Sequence, residues 1–172
     1  SNLSSTRALK DVTNLHNGNY QASAVGEINV VEKMKATNAV IGGEGNGGVI
    51  YPELHYGRDA LIGLALFLTQ LAERKISAKA LRDSYPNYFI SKNKIELTPE
   101  VDVDTILSAL VEKYKKETIT TIDGLKIDFS EGWVHLRKSN TEPIIRIYAE
   151  SKGEEKANEF AINMINEIKE LI

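Results

Sequence analysis

The sequence predicts an α/β half followed by an α+β half: a mixed sheet with helices over residues 1–85, then an antiparallel four-stranded sheet carrying two helices on one face over residues 86–172. Three observations predict this. Up to about residue 85, helical and strand-like apolar periods alternate, the pattern that layers helices on a sheet. Beyond it, strand-like runs follow one another across Asp123-Gly124 and Glu131-Gly132, dipeptides that turn a chain back on itself. Pro86 stands between the two patterns and marks the domain boundary.

The elements follow in order. Ser4, Ser5 or Thr6 can cap a helix to about Leu15 with Ala8, Leu9, Val12 and Leu15 on one face, and Asn17-Gly18-Asn19 stops it. Tyr20–Val25 reads as a short strand. Gly26 opens a helix with Ile28, Val31 and Met34 in register. Ala39–Ile41 is an apolar strand running into the glycine-rich loop Gly42–Gly48, and Val49–Tyr51 is a further strand. Asp59 caps a helix over Ala60–Glu73 that is apolar on nearly all sides and therefore expected to be buried. A short helix surrounds Ala78–Asp83. In the second half, strand Tyr88–Leu97 leads to a helix whose apolar face is Val103, Ile106, Leu107, Leu110, Val111 and Tyr114. The folded-back run Ile119–Ile122 with Lys126–Phe129 comes next, then Trp133–Arg137 and Ile144–Ala149. A closing helix buries Ala157, Phe160, Ala161, Met164, Ile165 and Ile168.

Bulk properties narrow the function classes. The net charge of −3 over 172 residues argues against a sequence-wide grip on nucleic acid or an anionic membrane. With no cysteine there are no disulfides, thiolate zinc sites or cysteine nucleophiles, in keeping with the cytoplasmic location expected here. Ser1–Lys10 is polar, without the apolar segment of a secretory signal, and the run Ala60–Leu68 is too short to span a bilayer.

Two loops carry the chemistry. In Gly42–Gly48, five glycines surround Glu44 and Asn46 at the end of an apolar strand. Gly45 and Gly47 let a ligand approach the backbone, Glu44 can accept from vicinal hydroxyls, and Asn46 can donate and accept. Composition alone leaves open a merely solvated connection. No Gly-Lys-Ser/Thr follows, so the loop is not a Walker loop. The second loop is Arg137-Lys138-Ser139-Asn140-Thr141-Glu142-Pro143, followed by Arg146. Arg137 and Arg146 offer planar donors to a phosphate, and Ser139, Asn140 and Thr141 add hydroxyl, amide and backbone donors. Strand alternation sets both arginines opposite the apolar residues Val134, Leu136, Ile145 and Ile147. A polar hairpin with two exposed arginines is the plainer reading. Arg58 or His55, just before the apolar helix, can reach a ligand held by the glycine loop, although a lone histidine at such a turn is usually structural or solvated, and Asp59 reads as an N-cap. Asp102-Val103-Asp104 resembles a metal loop but lies in the first turn of a helix, where carboxylates favour the dipole.

Together the loops resemble those of the α-D-phosphohexomutase family (phosphoglucomutases, phosphomannomutases and phosphoglucosamine mutases) over essentially the whole chain. Gly43-Glu44-Gly45-Asn46-Gly47 resembles the sugar-hydroxyl loop of that family's third domain. Arg137, Ser139, Asn140, Thr141, Pro143 and the later Arg146 resemble the phosphate loop of its fourth. Glu27 and Asn46 depart from residues common in the family, where histidine or aspartate and serine respectively often stand. The resemblance implies interconversion of hexose 1- and 6-phosphates, glucose or mannose phosphates first and glucosamine phosphate as the alternative, through a phosphoserine and a bisphosphorylated sugar. It implies that both loops serve one phosphorylated hexose. It also implies Mg²⁺ and a catalytic serine located outside these residues. The chain is thus expected to be the truncated third domain plus the fourth, inactive alone, partnered by the protein's N-terminal domains and able to self-associate through an exposed sheet edge. A stand-alone sugar-phosphate-binding module is the rival reading. A nucleic-acid-binding sheet is opposed by the acidic balance and the lack of aromatic pairs on the strands.

Overall fold

The computed structural model describes residues 1–98, 100–139 and 142–172. It divides into two compact units, Ser1–Asn87 and Tyr88–Ile172. Among the described residues no helix is long and apolar enough to cross a membrane.

The first unit begins with α1 (Arg7–Leu15), whose N-cap Thr6 accepts from the Ala8 amide. Helix α2 (Glu27–Thr37) starts at Gly26 with φ +122°, places Glu27 in its first turn where the dipole favours an anion, and ends on left-handed Asn38. Strands β1 (Gly42–Gly43), β2 (Val49–Tyr51) and β3 (His55–Arg58) form an antiparallel sheet in that order. The mixed character expected of this half rests on one parallel bridge, Asn2 with Ser23, closed by Leu3 N donating to Ser23 O at 2.9 Å and Ser23 N to Ser1 O at 2.9 Å. The run read as strand Tyr20–Val25 contributes only that bridge, and the strand expected at Ala39–Ile41 begins instead at Gly42, leaving Val40 78% exposed. Its small core is Val30, Met34 and Ile50.

Asp59 caps α3 (Ala60–Arg74), its Oδ1 accepting from Leu61 N at 2.8 Å and Ile62 N at 3.0 Å. The expectation that α3 is buried is overturned: no residue of it is buried, and Leu61, Leu64 and Leu68 are 77%, 57% and 59% exposed. Apolar composition expresses a demand for cover but not its presence. A sheet of such short strands meets only the stripe around Gly63, where an added Cβ would lie 3.2 Å from Val49 Cγ2. Helix α4 (Ala78–Asp83), capped by Ser77, follows.

The second unit is a five-stranded antiparallel sheet in the order β4 (Phe89–Glu96), β8 (Ile144–Ser151), β7 (Gly132–Lys138), β6 (Leu125–Asp128), β5 (Thr118–Thr120). It has one strand more than expected because the folded-back run 119–129 pairs with itself as two strands around Gly124, φ +70°. Helices α5 (Val103–Lys113) and α6 (Glu154–Leu171) cover one face. Leu125, Ile127, Val134, Leu136, Ile145, Ile147 and Ala149 point to that face and pack with Ile106, Leu110, Ala161, Met164 and Ile168.

Fully buried Ile147 and half-exposed Leu64 therefore respond differently to truncation. Ile147→Ala is expected to cost about 2–5 kcal/mol, and Leu64→Ala within about 0.5 kcal/mol. Urea unfolding checks both: the fluorescence of the only tryptophan, Trp133, follows the second unit, and far-UV dichroism follows the helices of both units. Equal costs would refute the burial assignment.

Candidate functional site

Each unit carries one polar constellation. In the first, the loop between β1 and β2 is closed by Glu44 N donating to Gly48 O at 3.0 Å and Gly47 N to Glu44 O at 3.1 Å. A Cβ at residue 43 would stand 2.2 Å from Gly48 O, so the two limbs approach in a way only glycine permits. Gly47 turns the chain with φ +92°, and Gly48 N donates to Asn46 Oδ1 at 3.0 Å. Glu44 is half-buried and fixed: its Oε1 accepts from Asn2 Nδ2 at 2.9 Å and Gly26 N at 3.1 Å. Its Oε2 meets Asn46 Nδ2 only at 3.5 Å. One carboxylate oxygen is thus committed to the scaffold, and the other faces the loop with acceptor capacity to spare.

Arg58 is brought beside this loop. Its Cδ lies 2.5 Å from where a Cβ on Gly48 would be, so its stem covers the glycine. Its Nε donates to Glu27 Oε2 at 2.8 Å and its backbone N to Glu27 Oε1 at 3.2 Å, a two-point clasp across 31 residues of sequence. Glu27, Asn46, Gly47, Gly48, Arg58 and Asp59 line an open concavity. His55 stands aside as a brace: Gly57 N donates to its Nδ1 at 3.0 Å, and its Nε2 lies 3.2 Å from Asp59 Oδ2. The Asp59 carboxyl titrates below its ordinary value, first through the Ile62 amide and then through His55.

In the second unit, register does the assembling. Lys94 of β4 pairs with Arg146 of β8, and Arg146 pairs with Arg137 of β7. Three cations therefore stand in one row on the sheet face opposite the helices, beside the β7–β8 turn. Each has a carboxylate at hand: Glu96 Oε1 at 3.1 Å from Lys94 Nζ, Glu142 Oε2 at 3.4 Å from Arg146 Nη2, and Asp123 Oδ2 at 2.8 Å from Arg137 Nε. Ser139 N donates to Ile144 O at 3.0 Å and sets the mouth of the turn. Asn140 and Thr141, both expected to bind phosphate, lie outside the described residues.

The expected sugar-loop residues Glu44, Gly45, Asn46, Gly47 and Arg58 thus share one constellation, and Arg137, Ser139 and Arg146 share the other. Lys94, Asp123 and the Glu27–Arg58 clasp escaped the sequence reading. Lys94 precedes buried Ile95 and so stands on the opposite face of its strand, but only the sheet order and register set it beside Arg146. Among the described residues no three His, Asp or Glu stand together as a metal site. Asp102 is engaged as the cap of α5, accepting from Asp104 N at 3.1 Å and Thr105 Oγ1 at 2.5 Å.

One row along the same face, His135 is 1% exposed and its Nε2 lies 2.8 Å from Asp123 O. Burial pushes its pKa down to about 4, Lys126 and Arg137 add to the fall, and the Asp123 carbonyl and charge oppose it. The folded state thus holds the imidazole neutral, while the unfolded chain takes up a proton near the ordinary 6.5. This contribution to stability is complete above the ordinary value and lost as pH falls towards 4. At roughly 1.4 kcal/mol per unit the loss approaches about 3 kcal/mol. Urea midpoints between pH 7 and 4 should fall less steeply in His135→Gln than in the unaltered chain, and identical slopes would refute the account.

Comparison with known proteins adds to this geometry. The family model for the phosphoglucomutase/phosphomannomutase α/β/α domain III matches residues 1–88, and that for the C-terminal domain of the same enzymes matches residues 94–167. A phosphoglucosamine/phosphogalactosamine mutase of Sulfurisphaera tokodaii is 37% identical over 172 residues, 99% of this chain and 37% of its own length. A phosphoglucomutase/phosphomannomutase of Thermococcus kodakarensis is 36% identical over 160 residues, 92% of this chain and 35% of its own length. The chain spans little more than a third of either relative. In fold it is similar to the crystal structure of a phosphoglucomutase/phosphomannomutase family protein from Burkholderia thailandensis, with a TM-score of 0.76 at 24% identity over 95% of this chain and 35% of that one.

Proposed function

Because the chain belongs to the phosphoglucomutase/phosphomannomutase family, we propose that it is the substrate-holding portion of a phosphohexomutase, and that the hexose it holds is an amino sugar. The observation that carries the reading is the row Lys94, Arg146, Arg137 beside the β7–β8 turn. Like charges directly opposite on neighbouring strands repel, and a phosphate dianion among them converts that cost into attraction. Their present carboxylate partners are largely solvent-exposed pairs for Lys94 and Arg146. Such pairs are worth at most about 1 kcal/mol and are readily exchanged. Arginine then offers a phosphate two parallel hydrogen bonds.

In the first unit, Glu44 Oε2 and the Asn46 amide supply acceptors and a donor suited to ring hydroxyls. Gly45 and Gly47 leave the backbone open to the sugar, and Arg58 adds a donor at the rim. Glu27 is balanced by Arg58, which leaves the Glu44 carboxylate as the negative charge that an ammonium group on a sugar would meet. The amino-sugar preference also draws on the Sulfurisphaera relative, whose name specifies glucosamine and galactosamine phosphates. A glucose or mannose phosphate is the second reading, favoured by the Thermococcus relative.

Phosphoryl transfer rests on positioning and on charge neutralisation. These residues would bind and orient the sugar phosphate. A phosphorylated serine and a magnesium ion, both expected in the part of the relatives that this chain does not span, would supply the transfer itself. The 172-residue chain is accordingly expected to bind glucosamine 6-phosphate but not to isomerise it.

Isothermal titration tests this. Glucosamine 6-phosphate should bind more tightly than glucose 6-phosphate, and unphosphorylated glucosamine should not bind measurably. Replacing both Arg137 and Arg146 by alanine should weaken binding at least about tenfold, the scale of losing charge-assisted hydrogen bonds. Equal binding of glucosamine and its phosphate, or turnover by this chain alone, would overturn the reading. Tighter glucose 6-phosphate binding would select the second one.

A further inference from the structure

We infer that Asp123, in the turn between β5 and β6, is the positioning residue for Arg137; the inference rests on the assignment of Arg137 to phosphate binding made above. Three features fix the aspartate. Gly124, φ +70°, packs so closely on β7 that a Cβ there would lie 2.1 Å from Leu136 O. The Asp123 carbonyl lies 2.8 Å from Nε2 of buried His135, two residues before Arg137 on the same strand face. The Asp123 carboxylate then reaches Arg137, Oδ2 standing 2.8 Å from Nε, with side-chain exposures of only 25% for the arginine and 21% for the aspartate. The turn is thus attached to β7 at three consecutive residues, Leu136 by backbone, His135 by its ring and Arg137 by charge.

The contact needs such an anchor. Arg137 Nε is buried and makes no directed hydrogen bond, so charge, rather than a geometrically matched donor and acceptor, keeps the guanidinium in place. Across the sheet, Arg146 is its direct register partner and pushes it away. A carboxylate held rigidly on the far side, at Nε, draws the head of Arg137 to one station and leaves the two terminal nitrogens as the donors for an anion. Glu96 and Glu142 are counter-ions with side chains 77% and 54% exposed. Asp123 differs from both in being mostly buried and held by its own backbone.

A positioning role and a simple counter-ion role predict opposite results. Removing a mere counter-ion leaves more positive charge and should tighten phosphate binding. Removing a positioning group should weaken it. The test uses the 172-residue chain, glucosamine 6-phosphate and glucose 6-phosphate as probes, calorimetry for affinity and ¹⁵N-edited NMR for the Arg137 Nε–H signal. Asp123→Asn is expected to weaken both ligands about tenfold, the worth of one misdirected charged hydrogen bond. The Nε–H signal should broaden or move towards the free-arginine position. Asp123→Glu, which keeps the charge, should recover most of the affinity and the signal, and Asp123→Ser carries the test if the asparagine variant fails to fold. Unchanged or tighter binding in Asp123→Asn or Asp123→Ser, or an Nε–H signal indifferent to the loss of the charge, overturns the positioning role while leaving the phosphate assignment standing. Failure of the unaltered chain to bind either sugar phosphate overturns both.

Discussion

The register between β7 and β8 is the constraint on which the second unit depends. Seven residues of β7 pair with seven of β8 so that Leu136 faces Ile147 and Arg137 faces Arg146. Because side chains alternate faces along a strand, one choice of register settles both sides of the sheet. It puts Val134, Leu136, Ile145, Ile147 and Ala149 under α5 and α6, and it puts the cations in line on the other side. A slip of one residue would expose the core and scatter the row together. The burial of apolar residues on one face is therefore what holds mutually repelling charges side by side on the other. No local attraction among the arginines is required.

The first unit solves a different problem with backbone rather than side chains. Its loop is tight because Gly43 and Gly48 approach more closely than any Cβ allows, and stationary because Glu44 ties it to Asn2 and to the start of α2. The same carboxylate serves the scaffold through one oxygen and turns the other towards the loop. The Glu27–Arg58 clasp fixes the neighbouring wall in the same way, with a carboxylate in the first turn of a helix holding both the backbone and the side chain of an arginine on a strand end. In both cases a carboxylate is part of the support, so substitutions at Glu44 or Glu27 act on loop geometry as well as on the ligand contact proposed for this corner.

Much of the candidate site was legible before any coordinates. The clustering of Glu44 and Asn46 among glycines, and of Arg137, Ser139 and Arg146 around a hairpin, follows from residue types whose chemistry is local and whose spacing is short. Most elements were legible for the same reason. Thr6 and Asp59 cap the helices they precede, and the 3.6-residue period of α5 and α6 marks the face they bury. Lys94 and Asp123 were not legible, because nothing within a strand states which strand will lie beside it or which turn will fold over its neighbour. The burial of α3 was misread because hydrophobic periodicity describes only one surface of a contact.

The sequence by itself determined the helix starts, the apolar strand faces, the glycine loop, the arginine turn and the family to which they point, since each depends on forces acting within a few residues of the chain. Only the tertiary structure decided that Lys94, Arg146 and Arg137 form one row, that Asp123 stands at the flank of Arg137, and that α3 carries its leucines on the outside. Those outcomes depend on strand order, on register and on which surfaces meet, and these are settled by the free energy of the whole sheet and its helices rather than by any one segment.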